Sequence, residues 1–368
     1  MKLLIQPGDS VNSLIKGIEK AKKSVEIVIF RFDRLEIERA LKDAAKRGVF
    51  VHALIAYTNR GGEKNLRKLE MRFLAAGITV ARTADDLVRY HGKMMVIDRK
   101  QLYLLSFNFT HLDIERSRSF AIITSRPRLV QEAAKLFEAD TKRQNYNPGY
   151  AKFLVSPLNA RKELAQFLKE ARKELLIYDL KVTDRAMLKI LEDRADAGVK
   201  IRLIGSAVGK GSFLELRKLT GLRQHTRTII RDGRELFMGS QSLRSLELDD
   251  RREIGIIVND LKIVRGVKKV FEEDWKEAAP KKGSADDTLT PTVAKAAKKV
   301  AKSIAQKLPP VGPVVEKVIK EVTENTIDVE LDHKEVDEAV KGAVKDAVKE
   351  ALREVMEEAT DRSETPGK

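Results

Sequence analysis

The chain repeats itself, and the repeat limits what it can fold into more than any other feature. Ala21-Lys22-Lys23-Ser24-Val25-Glu26-Ile27 returns 150 residues later as Ala171-Arg172-Lys173-Glu174-Leu175-Leu176-Ile177. Ala45-Lys46-Arg47-Gly48-Val49 returns at the same offset as Ala195-Asp196-Ala197-Gly198-Val199. Further on, His91-Gly92-Lys93 is echoed by His225-Thr226-Arg227, and an aspartate stands seven positions after each histidine, Asp98 and Asp232. The offset there is 134, so the first half carries 16 additional residues. We place them in the polar segment 58–68, as a loop and helix start bordering a substrate cleft. Two copies of one unit call for two similar halves packed together.

Hydrophobic periodicity gives each half its elements. Val11, Leu14, Ile15 and Ile18 share one face of a helix over 10–23, with Ser10 as its cap. Residues 25–30, apolar but for Glu26, are expected as a largely buried strand. A helix over 35–47 ends at Gly48, and a second strand follows over 49–56. Residues 232–239 predict a strand–turn–strand hairpin. Strands at 121–124 and 254–258 close the halves, followed by helices over 127–140 and 261–277. This alternation belongs to the α/β class. We therefore expect two pseudo-symmetric halves, 1–150 and 151–280, each a mixed β-sheet flanked by helices. Residues 281–368 then form a linker and an amphipathic helical tail.

In the tail, helices over 292–308 and 333–359 are separated by Pro309-Pro310 and Pro313. The stripe Val293, Ala297, Val300, Ile304 and Leu308, flanked by lysines, suits either a membrane-surface helix or self-association.

Charge narrows the partners. The net charge is +16, yet residues 281–368 hold 16 Lys+Arg against 18 Asp+Glu. The excess sits on 1–280, with 55 basic residues against 37 acidic ones, on the same part as the histidine motifs. A polyanion is the natural partner: an anionic phospholipid surface, or alternatively a nucleic acid backbone. The absence of cysteine removes disulfides, thiolate metal sites and a cysteine nucleophile. Clustered histidines at metal-ligand spacing are absent too, so neither metal nor cofactor is expected. Gln6-Pro7-Gly8-Asp9 interrupts the first apolar residues, and no apolar run reaches the length of a membrane span. The expected location is cytoplasmic, with peripheral attachment to a membrane.

The chemistry is written in the repeated motif. In an extended strand residues i and i+2 point the same way, so His91 and Lys93 share a face, as do His225 and Arg227. An imidazole beside a fixed cation suits attack on a phosphodiester, the ring as nucleophile or acid and the cation on the phosphate oxygens. Beyond each aspartate, after six intervening residues, stand Leu105-Ser106-Phe107-Asn108 and Gly239-Ser240-Gln241-Ser242.

Taken together, His91-Gly92-Lys93-(x4)-Asp98-(x6)-Leu105-Ser106-Phe107-Asn108 resembles the H-x-K-x4-D-x6-G-S-x-N signature of the phospholipase D superfamily. The segment from His225 to Ser242 is a degenerate second copy, and the two-copy layout resembles the cardiolipin synthase-like branch. The resemblance spans roughly 10–278.

It implies a pseudo-dimer with both motifs at the interface and a metal-independent reaction through a covalent phosphohistidine. His91 and His225 would be the nucleophile and acid pair, in that order by family convention or in the reverse one. Lys93, Asn108 and Arg227 would hold the phosphate oxygens, Ser106 and Ser240 would give supporting hydrogen bonds, and Asp98 and Asp232 would be structural. Glu253, 28 residues after His225, fits the family's histidine-orienting carboxylate, whereas Ser119 stands at that place in the first half.

Three departures accompany the match. Arg227 replaces a lysine, its longer flat head expected not to sit where an ammonium sits. Ser242 stands at the second asparagine position with a shorter reach. Leu105 replaces a glycine, implying a different backbone approach. The implied function is phospholipase D or phosphatidyltransferase activity on phospholipid. The alternatives are a nuclease of the same superfamily, or an inactive scaffold binding anionic membrane or nucleic acid.

Overall fold

The repeat in sequence is a repeat in topology. The computed structural model describes residues 1–57, 63–84, 87–208 and 213–280, with the isolated positions 303 and 337. The helices expected over 292–308 and 333–359, and His333, lie outside the described residues. The chain divides at Gly283, and both sheets with their helices belong to the first unit, Met1–Gly283.

Among the described residues, the first sheet runs Lys2–Gln6, Ser117–Thr124, Gln101–Leu105, Met94–Ile97, Ser24–Ile29, Phe50–Ile55, Thr79–Arg82. The second runs Phe153–Val155, Ile254–Val258, Glu235–Gly239, Arg227–Arg231, Glu174–Val182, Lys200–Ala207, Glu215–Lys218, with Ala279–Pro280 at its edge. The order is the same in both. In each, the first four pairings are antiparallel and the next two are parallel. The architecture is α/β in two pseudo-symmetric halves.

Strand pleat explains how the halves join. Successive side chains point to opposite faces, and here both faces are apolar because both are covered. Val28 of the first sheet and Leu176 and Tyr178 of the second enter one shared core. Ile27 and Ile29, and Leu175 and Ile177, enter separate outer cores. The helices Asn12–Lys20 and Leu35–Lys46 cover the outer face of the first sheet through Leu14, Ile18, Ile37 and Leu41. Ala160–Lys169 and Arg185–Asp196 do the same for the second through Leu164, Leu168, Met187 and Leu191. Pro127–Lys142 and Leu261–Glu277 supply the shared core between the sheets, with Phe137 from one and Phe271 from the other.

The helix start expected in the added segment of the first half is that of Glu63–Leu74, whereas the second half passes from Lys200–Ala207 to Glu215–Lys218 without a helix among the described residues. Residues 58–62 of that segment lie outside the described residues. The first helix is shorter than expected, Asn12–Lys20, and Ser10 accepts from Asn12 N at 3.1 Å rather than capping it by the usual bond.

Each half reaches across to the other just before its motif. Arg89–Tyr90 pairs in parallel with Arg251–Arg252, and Arg223–Gln224 pairs in parallel with Ser117 and Arg118. The first histidine's N–H then donates to Arg252 O at 2.8 Å, and the second's to Arg118 O at 3.1 Å. Two ion pairs repeat this exchange. Arg118 binds Asp274 at 2.7 Å, and Arg252 binds Asp140 at 3.2 Å.

Candidate active site at the junction of the halves

The motif strands begin at the junction, so their first residues project into it from both sides. His91, Lys93, His225 and Arg227 are all buried there, none more than 8% exposed. Each imidazole is gripped by the opposite half. His91 Nδ1 lies 2.9 Å from Glu253 Oε2, and His225 Nδ1 lies 2.7 Å from the backbone oxygen of Ser106. A carbonyl only accepts, so His225 Nδ1 carries the hydrogen and Nε2 is its free nitrogen. Glu253 likewise fixes the Nδ1–H tautomer of His91. The orienting carboxylate therefore serves the histidine of the other half, 162 residues away in sequence.

The two cations anchor in the same manner. Lys93 Nζ donates to His91 O at 2.6 Å, and Arg227 Nη1 donates to His225 O at 2.7 Å. This differs from the expectation that a guanidinium cannot take the ammonium's place: Arg227 Nη1 makes the bond that Lys93 Nζ makes, and its Nε faces Ser242 Oγ at 3.4 Å. The fields of Lys93 and Arg227 both act on both imidazoles, which makes this one site.

The remaining expected residues separate by role. Asn108 stands in the site, but its Nδ2 is bound to Asp113 Oδ2 at 2.7 Å while its Oδ1 has no hydrogen-bond partner. Ser242 donates its backbone N–H to Glu247 at 2.6 Å. Ser106 and Ser240 bond the backbone of the neighbouring strand, at Phe120 and Ile254. Asp98 lies at the far end of its strand, accepting from Lys22, Lys23 and Ser24 N at 2.6–3.0 Å. Asp232 does the same for Arg172, Lys173 and Glu174 N at 2.7–3.1 Å. Leu105 pairs with Ala121, where the second half pairs Gly239 with Gly255; an added Cβ on Gly239 would lie 2.7 Å from Gly255 Cα.

Sequence reading missed Asp113 and Glu247. Both accept from the backbone of the motif's last residue, Asn108 and Ser242. The signal was present, because the offset that aligns the histidines also aligns Asp113 with Glu247 and Arg89 with Arg223.

Electrostatics sets the protonation states. Burial, then the charges of Lys93, Arg227, Arg89 and Arg251, push the His91 imidazole well below its ordinary value. Burial does the same to His225, opposed by Asp113 and reinforced by Arg223, Arg227 and Lys93. Both rings are therefore neutral at pH 7. Burial and the neighbouring Glu247 raise Glu253 to about 7, against the pull of Lys93 and Arg251. Burial would raise Asp113 as well, but His225, Arg223 and the Asn108 amides hold it at about 2. Glu247 is held at about 2 in the same way, by Arg227, Arg244 and Arg251. The result is a buried, cation-rich centre with two neutral imidazoles. Among the described residues no group of three His, Asp or Glu side chains is placed to hold a metal ion, and no helix is long and apolar enough to cross a membrane.

His52 packs its ring against Phe137 in the core, and His111 is an exposed partner of Glu115. Tyr90 and Tyr103 are buried; Tyr57 is exposed.

Residues 14–141 and 164–275, together well over half of the chain, match the family described as "Cardiolipin synthase, PLD-like domain". The chain is 33% identical over 138 residues to the mitochondrial cardiolipin hydrolase of Danio rerio, covering 35% of this chain and 58% of that protein. It is 25% identical over 303 residues to the polyphosphate kinase of Prosthecochloris aestuarii, covering 73% of this chain and 42% of that protein. It thus spans about half the length of the curated relatives it matches. The crystal structure of phosphatidylserine synthase from Haemophilus influenzae Rd KW20 shares the fold, with a TM-score of 0.61 at 12% identity, over 83% of this chain and 94% of that one. By the family match and by two motifs meeting between two like halves, the chain belongs to the phospholipase D superfamily.

Proposed function

We propose that the protein transfers the phosphoryl centre of a phosphodiester through a phosphohistidine on His91, with phospholipid as its substrate. The observation that carries this reading is the His91–Glu253 contact between the halves, inside a centre where Lys93 and Arg227 act on both rings. His91 Nε2 attacks phosphorus, the bond from phosphorus to the leaving oxygen breaks, and His225 Nε2–H gives its proton to that oxygen. The bound phosphodiester supplies the negative charge that brings the proton onto His225. Water or an alcohol headgroup then attacks phosphorus and yields its proton to His225. The N–P bond breaks, and His91 returns to its starting form. Lys93 and Arg227, with Asn108, stabilise the charge on the non-bridging oxygens. No step requires a metal.

The name of the cardiolipin hydrolase relative and the phosphatidylserine synthase fold support lipid over nucleic acid. The basic excess on 1–280 supports an anionic surface as the place of work, reached from the cytoplasm by peripheral attachment. The test sets three substrates side by side, each with and without EDTA: vesicles of phosphatidylglycerol or cardiolipin, labelled DNA, and polyphosphate with ADP. Lipid turnover that survives EDTA, with phosphate trapped on His91 and lost in H91A, is the expected result. DNA cleavage alone would make the protein a nuclease, and polyphosphate turnover alone a kinase. Binding without turnover of any diester would make it a scaffold.

A further inference from the structure

The two histidines do not receive the same help, and the difference points to a second carboxylate. Glu253 serves His91, but the matching place in the first half is Ser119, a buried hydroxyl that donates to Asp113 O at 3.2 Å and carries no charge. The Nδ1 partner of His225 is the Ser106 carbonyl, which fixes the tautomer without balancing an imidazolium. The carboxylate nearest that ring is Asp113, on the short helix His111–Glu115 of the other half, with Oδ2 3.4 Å from His225 Nε2. It is firmly held: Arg223 Nη1 donates to Oδ1 at 2.9 Å, and the Asn108 N and Nδ2 groups donate to Oδ2 at 2.8 and 2.7 Å. Its twin in the second half, Glu247, faces Arg227, Arg244, Arg251 and the Ser242 N–H instead. The halves thus draw their histidine carboxylates from different positions.

We propose that Asp113 is the positioning residue of His225, holding the imidazolium that protonates the leaving group; this rests on the reaction proposed above. At 3.4 Å the contact is longer than a formed hydrogen bond, so the charge is balanced while the Nε2 proton stays free for the departing oxygen. The groups facing His225 are Asp113 from its helix, Arg223 from the preceding strand, Arg227 from its own strand, Lys93 from the other motif and the Ser106 carbonyl. Asp113 is the anion of that set.

The experiment reads His225 in two ways. With inorganic phosphate bound, its titration is followed by NMR of the imidazole nitrogens in the wild type, D113N and D113E. D113N should lower the His225 pKa by about one unit or more, and D113E should keep it near the wild-type value. Turnover is then compared between an alkyl phosphodiester and its p-nitrophenyl counterpart, whose phenolate leaves without a proton. D113N should lose about 10²-fold in kcat on the alkyl ester and little on the p-nitrophenyl ester. Unchanged titration in D113N, or equal losses on both esters, would overturn the role. Should D113N fail to fold, D113S removes the charge while leaving an acceptor for the Asn108 amides. A wild type that turns over neither ester sinks the proposed reaction, while the titration still decides Asp113.

Discussion

At the scale of single residues, the site couples imidazoles to carboxylates across the junction, and its pH behaviour follows from that. The ionised form of Glu253 is the one that accepts from His91 Nδ1–H, and Glu253 sits at about 7. Turnover should therefore fall as pH drops through about 7. In E253Q that limb should flatten while the plateau rate falls by about 10²-fold, read from a pH–rate profile. H91A and H225A should each lose about 10³-fold or more, measured with the same substrate. Asp98 shows how a motif residue can be indispensable without touching substrate. It accepts from three consecutive backbone N–H groups, two of them exposed, so D98A hands these to water and should cost about 1 kcal/mol in urea unfolding.

At the scale of elements, each half is a sheet whose meander delivers a strand start to the junction, and in the second half two glycines pack closely at that end. Gly239 and Gly255 face one another in the register, and a Cβ on Gly239 would also approach Ile254 O at 2.9 Å. Backbone cannot give way as a side-chain tip can, so G239A should destabilise by about 2–3 kcal/mol, seen as a lower urea midpoint with unchanged slope. The first half accommodates Leu105 opposite Ala121 at the equivalent place, so the two sheets are not interchangeable in detail. Strand identity was plain in the sequence because both faces are covered, giving unbroken apolar runs such as 27–30. The added helix Glu63–Leu74 was harder to see, since its polar first turn reads like a loop.

At the scale of the whole molecule, the shared core and the reciprocal Arg118–Asp274 and Arg252–Asp140 pairs tie the halves into one unit. Trp275 is the chain's single tryptophan and lies in that core. Its fluorescence transition in denaturant should coincide with loss of amide protection in both Ser24–Ile29 and Glu174–Val182. Acid should act on the same junction. Asp113 and Glu247, ordinarily near 3.8 and 4.5, are both held at about 2. Their stabilisation is present above the ordinary values and lost as pH falls towards about 2, on the order of 3 kcal/mol each. Thermal melts between pH 5 and 2 should show that slope, and D113N and E247Q should flatten it.

The sequence by itself determined the repeat, the α/β class, most strand and helix positions and the two histidine–cation pairs. These follow from local rules: side-chain alternation along a strand, apolar spacing along a helix, and a fixed distance between motif residues. Only the tertiary structure decided that Glu253 orients His91 rather than the histidine of its own half. It also decided that Asp113 stands beside His225. Those contacts join residues more than a hundred positions apart. No periodicity within one half encodes them, because they exist only once the second half has packed against the first.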